Sequence, residues 1–292
     1  MKISVITSLT NPEKAEKRMD PWRESLSCYE SLADEVVVTG QDLKEEFKFS
    51  DIGLMFQEGF EKAKGDWVVK MDIDTILHEK DFNKLYDAMK KFNDYPAISL
   101  RKFQFFTPNR YHMKSRMATV VNKKKFKQIK FNGGGDGCDP TLNGIHLNEK
   151  NVPKLMIPFW NYDSVFKTKE IIAKDRSRFA RAWYRTYESY GDRGGPEPEE
   201  AFNAWIKMIE ERYKKHIYRM PTDEHPSFML EKISKLNNNQ FGHNLFGLGE
   251  TIKRNPKDYL SAINEMYFSE ARLFFMNKYK KVNFNKEFNG EI

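Results

Sequence analysis

The sequence is poor in cysteine. Its two, Cys28 and Cys138, form no Cys-x-x-Cys pair, which excludes a disulfide framework and a zinc knuckle. Two reduced thiols in a cytoplasmic protein are expected. Long apolar runs are also absent. No window approaches the ~18 uninterrupted apolar residues of a membrane helix. The apolar start, Met1–Thr10, is too short for the core of a secretory signal and reads as a first buried strand. A soluble chain is expected, with room for peripheral contact at a membrane surface. There is no internal repeat and no low-complexity tract.

The last scarcity is local. Between Arg101 and Gly135 there are ten Lys and Arg and no Asp or Glu. The whole chain carries +7, so outside this segment 39 basic residues face 42 acidic ones, a balance of −3. One segment supplies the whole excess. Such a run reads as the solvated face of a hairpin, or as an attractor of phosphates, anionic headgroups or nucleic acid.

What is present suits a globular enzyme. Hydrophobic residues make up 39 %, and 23 Phe give ample material for a core. The 292 residues fit one large domain, or one domain with an appendage. Ile3–Thr7, Val36–Val38, Trp67–Met71 and Ala97–Leu100 read as buried strands. The three β-branched residues Val36–Val38 suit a strand covered on both faces. Pro21–Leu32, Ile52–Lys64 and Asp81–Phe92 carry apolar residues at helical spacing. The order β-α-β-α-β-α-β predicts an α/β fold with a mostly parallel sheet between helices, and a ligand site beyond the carboxyl ends of the strands. Further on, Phe103–Phe106, Ala118–Val121 and Lys125–Phe131 read as shorter, more antiparallel strands, and Gly133–Gly137 as a flexible loop. Leu155–Phe159 reads as another strand. Lys169–Tyr190, Pro198–Tyr213 and Tyr259–Tyr279 read as helices, with Gly191–Pro198 linker-like and Pro221–Phe246 loop-rich.

The chemistry concentrates at Asp72-Ile73-Asp74. Two carboxylates at i and i+2, just past an apolar strand, point the same way and offer hard oxygen ligands to Mn²⁺ or Mg²⁺. Such a cation completes its shell with substrate phosphate and makes a bound diphosphate a better leaving group.

With Ile3–Ser8 (ISVITS), Ala33–Val38 (ADEVVV), Gly59–Val69 (GFEKAKGDWVV) and Met71–Leu77 (MDIDTIL), the chain resembles a family 2 glycosyltransferase of the GT-A fold. The resemblance covers the first third, and more weakly reaches about residue 165. It implies a nucleotide-diphosphate-sugar donor such as a UDP- or GDP-sugar, a divalent metal and an inverting displacement. Residues 1–215 would form the transferase domain, and 216–292 a loop-rich and helical extension packed on it. Thr7 and Ser8 would line the nucleotide pocket, Asp42 would meet base or ribose, Asp72 would lie near ribose and metal, and Asp74 would ligate the metal. Where family members often carry Asp after the second strand, this chain has Thr39. It has neither the Gln-x-x-Arg-Trp motif nor the membrane spans of processive synthases.

The transfer needs a carboxylate to take the acceptor's proton. Asp136 and Asp139, in the Gly-rich GGGDGCDP, and Glu149, in His-Leu-Asn-Glu, are the candidates, in the order Asp136, Glu149, Asp139. Four histidines, His112, His146, His225 and His243, are weighed as an added metal ligand, and His146 is retained. Trp160-Asn161-Tyr162 and Trp183-Tyr184 read as core aromatics or as platforms for sugar rings. The acceptor is expected to be a glycan, or a phosphorylated or lipid-linked molecule guided by the basic run, Lys123–Lys125 above all. The rival readings are a GT-A module that binds sugar or nucleotide without catalysis, and a basic nucleic-acid-binding protein that stacks bases on Phe103, Phe105, Phe106 and Tyr111. The second leaves the Asp72/Asp74 pair unexplained, so no nucleic acid is expected as a partner.

Overall fold

Ile3–Ser8 (β1), Glu35–Thr39 (β2) and Trp67–Asp72 (β3) pair side by side in parallel, with β1 in the middle. The computed structural model that shows this describes residues 1–9, 11–41, 43–209 and 217–236, and gives the backbone alone at 114–116 and 217–219. Asp42, His243 and the helix expected over Tyr259–Tyr279 lie outside the described residues.

The sheet continues with Thr75–Leu77 (β4), Ala97–Thr107 (β5), Arg110–Val121 (β6), Lys154–Asn161 (β10) and Ile217–Arg219 (β11). Its order is β2-β1-β3-β6-β5-β10-β4, with β11 paired to β6. β3–β6, β6–β5, β10–β4 and β11–β6 are antiparallel, and β5–β10 is parallel. Traced through these pairings, β4 and β6 run one way and the other six strands the opposite way. The fold is therefore α/β with a mostly parallel sheet, as expected, and an antiparallel strand sits at its centre. A second, three-stranded sheet is built from Lys130–Gly133 (β7), Asp139–Leu142 (β8) and Ile145–His146 (β9).

Helices cover both faces. Trp22–Leu32 (α2), Phe82–Lys91 (α4) and Ser227–Ser234 (α7) pack on the face that carries Val5, Val69, Met71 and Leu100. Phe49–Lys62 (α3) and the small sheet pack on the other, through Phe56, Phe60, Val68 and Phe131. Gly53 lets α3 approach that sheet: a Cβ there would stand 2.2 Å from the Gly137 carbonyl oxygen. Lys169–Tyr187 (α5) begins at a Thr168 N-cap, ends at Glu188 with φ of 56°, and packs against Pro198–Met208 (α6). The stretch Gly191–Pro198 joins α5 to α6 and is held by Arg181 Nη1 donating to Pro196 O, so it does not separate two units.

Several expectations change here. Val36–Val38 are half-buried, because β2 is the edge strand and has a neighbour on one side only. Phe103–Phe106 and Ala118–Val121 belong to two long, central strands, because the apolar positions of β5 and β6 bury while cations occupy the positions between them. Lys125–Phe131 is largely turn, with β7 starting at Lys130.

The basic segment does not form one surface. Arg101 and Arg110 are buried in the sheet. Lys123 donates to the Phe60, Glu61 and Ala63 carbonyls and so caps the end of α3. Lys124 pairs with Asp66 at 3.1 Å and Lys125 with Asp94 at 2.6 Å. These three follow Val121, which pairs with Val68 near the start of β3, so they lie at the end of the sheet away from Asp72. Steering of an acceptor by Lys123–Lys125 loses its geometric basis.

Lys123→Gln is expected to lower unfolding free energy by about 1–2 kcal/mol, because it leaves helix-end carbonyls without a charged donor. Lys125→Gln removes only a surface pair and should cost about 0–1 kcal/mol. Urea denaturation of the two variants checks this; equal effects would contradict the capping role.

Candidate active site

The carboxyl ends of β1, β2 and β3 meet at one line of the sheet. Ser8 is the register partner of both Thr39 and Asp72, so these three side chains share the α3 face. Thr39 is buried and donates to the Met55 carbonyl at 3.0 Å. A hydroxyl that ties strand to helix thus stands where the family often carries an acid. Thr7 faces the opposite side, fully buried, and its hydroxyl oxygen has no hydrogen-bond partner. Ser8 is half-buried and opens on the strand ends.

After Asp72 the chain reverses through Ile73 and Asp74 into β4. Buried Tyr29 of α2 fixes the reversal: its hydroxyl lies 2.6 Å from both the Asp72 and the Thr75 carbonyl oxygens. Asp74 is held by Thr75 Oγ1 at 3.1 Å and Asn161 Nδ2 at 2.8 Å, and its carbonyl accepts from Tyr162 N. Asn161 ends β10 and is 2 % exposed, and its Oδ1 has no hydrogen-bond partner beside the Asp pair. Burial, with Asp163 and Asp72 nearby, pushes the Asp74 carboxyl up to about 7, against the opposing charges of Lys102 and Lys167. Asp163 behaves oppositely: burial would raise it, but Arg176 and Lys167 hold it well below the usual carboxylate range. Lys167 is itself buried among Asp20 at 3.0 Å, Asp175 at 2.7 Å and Asp163 at 3.5 Å. This network anchors the loop after β10 to the start of α5.

Across the α3 face lies a second group. Lys70, two residues before Asp72 on the same face, is 4 % exposed. Its ammonium sits 3.3 Å from Cys138 Sγ and 4.4 Å from the centre of the Phe56 ring. Burial pushes the Cys138 thiol up to about 11, so at neutral pH this sulfur is uncharged. Burial disfavours the Lys70 ammonium, but Asp72 and Asp139 oppose it and keep the group charged. Asp139 Oδ2 meets His146 Nε2 at 3.1 Å, and burial raises the Asp139 pKa against the pull of Lys70 and His146. Gly134, at φ of 72°, makes room: a Cβ there would lie 2.2 Å from Asp139 Oδ2.

Asp72 and Asp139 both act electrostatically on the Lys70–Cys138 pair. Asp136 is exposed on the adjoining turn, and Glu149 lies half-buried beyond β9. His146 engages Asp139. His225 is buried between Tyr162 Oη and the Pro108 carbonyl, and His112 is buried on β6. Trp160 and Tyr162 are core residues. Both free cysteines are buried. Lys70, Tyr29, Asn161 and Asp163 carry no signal of their own in the sequence, except that a lysine inside the apolar run Trp67–Met71 is out of place.

Residues 52–144, from α3 to β8, match the family model described as Glycosyl transferase family 2. Over this stretch the chain is similar to family 2 glycosyltransferases. The matched stretch contains Lys70, Asp72, Asp74, Asp136 and Asp139. No curated protein matches the chain. Among solved structures, S. aureus TarS 1-349 aligns at 10 % identity and TM-score 0.30, covering 91 % of this chain and 80 % of that one. The same fragment in complex with UDP-GlcNAc aligns at 9 % and 0.31, covering 91 % and 80 %. In complex with UDP it aligns at 11 % and 0.32, covering 95 % and 87 %. No helix among the described residues is long and apolar enough to cross a membrane.

The raised Asp74 pKa predicts a pH-dependent stability effect. A carboxyl whose folded pKa lies near 7 rather than 3.8 contributes stability below the lower value that is lost as pH rises through the higher one. With chelator present, Asp74→Asn should therefore gain in melting temperature over wild type, and gain more at pH 8 than at pH 5. The same difference at both values would show that the Asp74 carboxyl is not destabilised by its setting.

Proposed function

We propose that the chain moves a sugar from a UDP- or GDP-sugar to a hydroxyl of a glycan, with inversion, in a reaction that depends on Mn²⁺ or Mg²⁺. The observation that carries the reading is the clamped Asp72–Asp74 turn at the carboxyl end of β3, with a buried, unpartnered Asn161 oxygen beside it. Asp72, Asp74 and Asn161 Oδ1 are hard oxygen donors that suit either cation. When bound there, the cation would neutralise charge on the departing diphosphate.

The chain's own residues supply the rest. Ser8 and Asp72 offer polar groups to the nucleotide and ribose. Lys70 sets a fixed positive charge under the same face, and buried Tyr29 keeps the turn from moving. Of the three acids considered as the base, Asp139 is best supported. Asp136 is solvent-exposed, and Glu149 lies beyond β9. Asp139 is half-buried, oriented by His146, and raised in pKa by its surroundings, which makes it a better proton acceptor than an exposed carboxylate. In the step proposed, the acceptor oxygen bonds to the anomeric carbon as the bond from that carbon to the diphosphate oxygen breaks, and Asp139 takes the acceptor proton. A glycan hydroxyl is favoured over a phosphorylated or lipid-linked acceptor, since Lys123–Lys125 lie at the far end of the sheet.

Release of UDP or GDP from a panel of nucleotide-sugars, with Mn²⁺ and with chelator, tests the reading. Wild type should release nucleotide only with metal. Asp74→Ala should lower the rate by ~10²–10³-fold while folding is kept. Asp139→Asn should lower transfer by ~10²–10⁴-fold without weakening donor binding. Metal-independent release, or full activity of Asp74→Ala, would refute the cation's role; full activity of Asp139→Asn would remove it as base.

A further inference from the structure

The last turns of α5 expose a group of aromatic rings that neither the core nor the donor site uses. Tyr184 is 46 % exposed and Tyr187 44 %. Tyr184 and Tyr190 stack with centroids 4.7 Å apart and planes 23° from parallel. Tyr187 lies 4.2 Å from Trp183, whose ring is covered by the Arg193 guanidinium at 3.4 Å. The open faces therefore belong to the tyrosines, and the Trp–Arg pair forms a rigid backing. Tyr187 Oη donates to the Gly135 carbonyl at 2.6 Å. Gly135 precedes Asp136 and is four residues before Asp139, so the rings are tied to the same turn that carries the proposed base. The rim is polar, with Glu188, Ser189, Gly191 and Asp192 exposed around the rings. An apolar chain would need a wider continuous apolar patch than this. Flat rings with a polar rim instead suit a molecule that has C–H groups on one face and hydroxyls at its edge. Rings held by stacking and by the Gly135 bond also lose little freedom on binding.

We propose that Tyr184, Tyr187 and Tyr190 form a carbohydrate platform that seats a pyranose ring of the acceptor glycan beside the Gly134–Asp139 turn. This rests on the transferase reading above, since it is the acceptor of that reaction that the platform would hold. Binding of sugar to the platform needs neither donor nor cation, so the two ideas fail separately.

The test is a titration of the intact chain with maltotetraose, cellotetraose, chitotetraose and mannotetraose in chelator, followed by tryptophan fluorescence. Far-UV circular dichroism is measured on the same samples, and release of nucleotide to water on the same protein preparations returned to Mn²⁺. At least one oligosaccharide should give a saturable change. Tyr184→Ala should weaken it about 3- to 10-fold, with nucleotide release and circular dichroism unchanged. Tyr187→Phe keeps the ring and should keep binding, which separates stacking from loss of the Gly135 bond. No saturable change with any of the four, or one that Tyr184→Ala leaves intact, would overturn the platform. So would sedimentation with phosphatidylglycerol vesicles that Tyr184→Ala abolishes in the absence of any sugar response, since that outcome would make the rings a lipid contact. Sugar binding without metal-dependent nucleotide release would leave the platform standing and count against the donor reading.

Discussion

One buried phenol sets the geometry on which the site depends. The Tyr29 hydroxyl has one proton and lies between two carbonyl oxygens, those of Asp72 and Thr75, each at 2.6 Å. It therefore bridges the two ends of the reversal that carries Asp74. Everything beyond follows from that closure. β4 turns back along β10, Asn161 comes within 2.8 Å of Asp74, and the Tyr162 amide closes on the Asp74 carbonyl. The backbone of the turn is held at both ends, and the Asp74 carboxylate by Thr75 and Asn161, before any ligand arrives.

Charge is layered around this turn. Burial, with Asp163 and Asp72 nearby, raises the Asp74 carboxyl, whereas Asp163 is satisfied by Arg176 and Lys167. On the α3 face, Lys70 has a neutral thiol and an aromatic ring as its nearest neighbours, with Asp72 and Asp139 beyond. A buried ammonium without a direct ion pair is costly. Asp72 and Asp139 offset that cost electrostatically.

Part of this was legible in the sequence. β1 and β3 announce themselves as short apolar runs, and the acids that follow β3 mark the end of that strand. The three Val of β2 mislead, since β-branching reports a strand but not whether the strand has one neighbour or two. β5 and β6 misled through their charges. Arg101 and Arg110 are buried and Lys123 caps a helix, so a run of cations that looks like one solvated face is dispersed by strand alternation and long side chains. Tyr29, Asn161 and Asp163 come from segments 40 or more residues from Asp74, and pairing that distant leaves no local periodicity to read. Lys70 was visible as an oddity within its strand, and its meaning came only with Cys138 and Asp139 opposite. Asp136 has glycine on both sides and Asp139 lies between Cys138 and Pro140, and sequence does not tell which of the two acids faces inward.

The central claim is that Asp72 and Asp74, set by Tyr29, hold a divalent cation together with the donor's diphosphate. Electron paramagnetic resonance of Mn²⁺ titrated with the protein, with and without UDP, tests it without requiring an acceptor or turnover. The account predicts that wild type with UDP strongly depletes the free Mn²⁺ signal, that UDP alone at the same concentration depletes it much less, and that Asp74→Ala returns the signal to the level of UDP alone. Equal depletion by wild type and Asp74→Ala would contradict it.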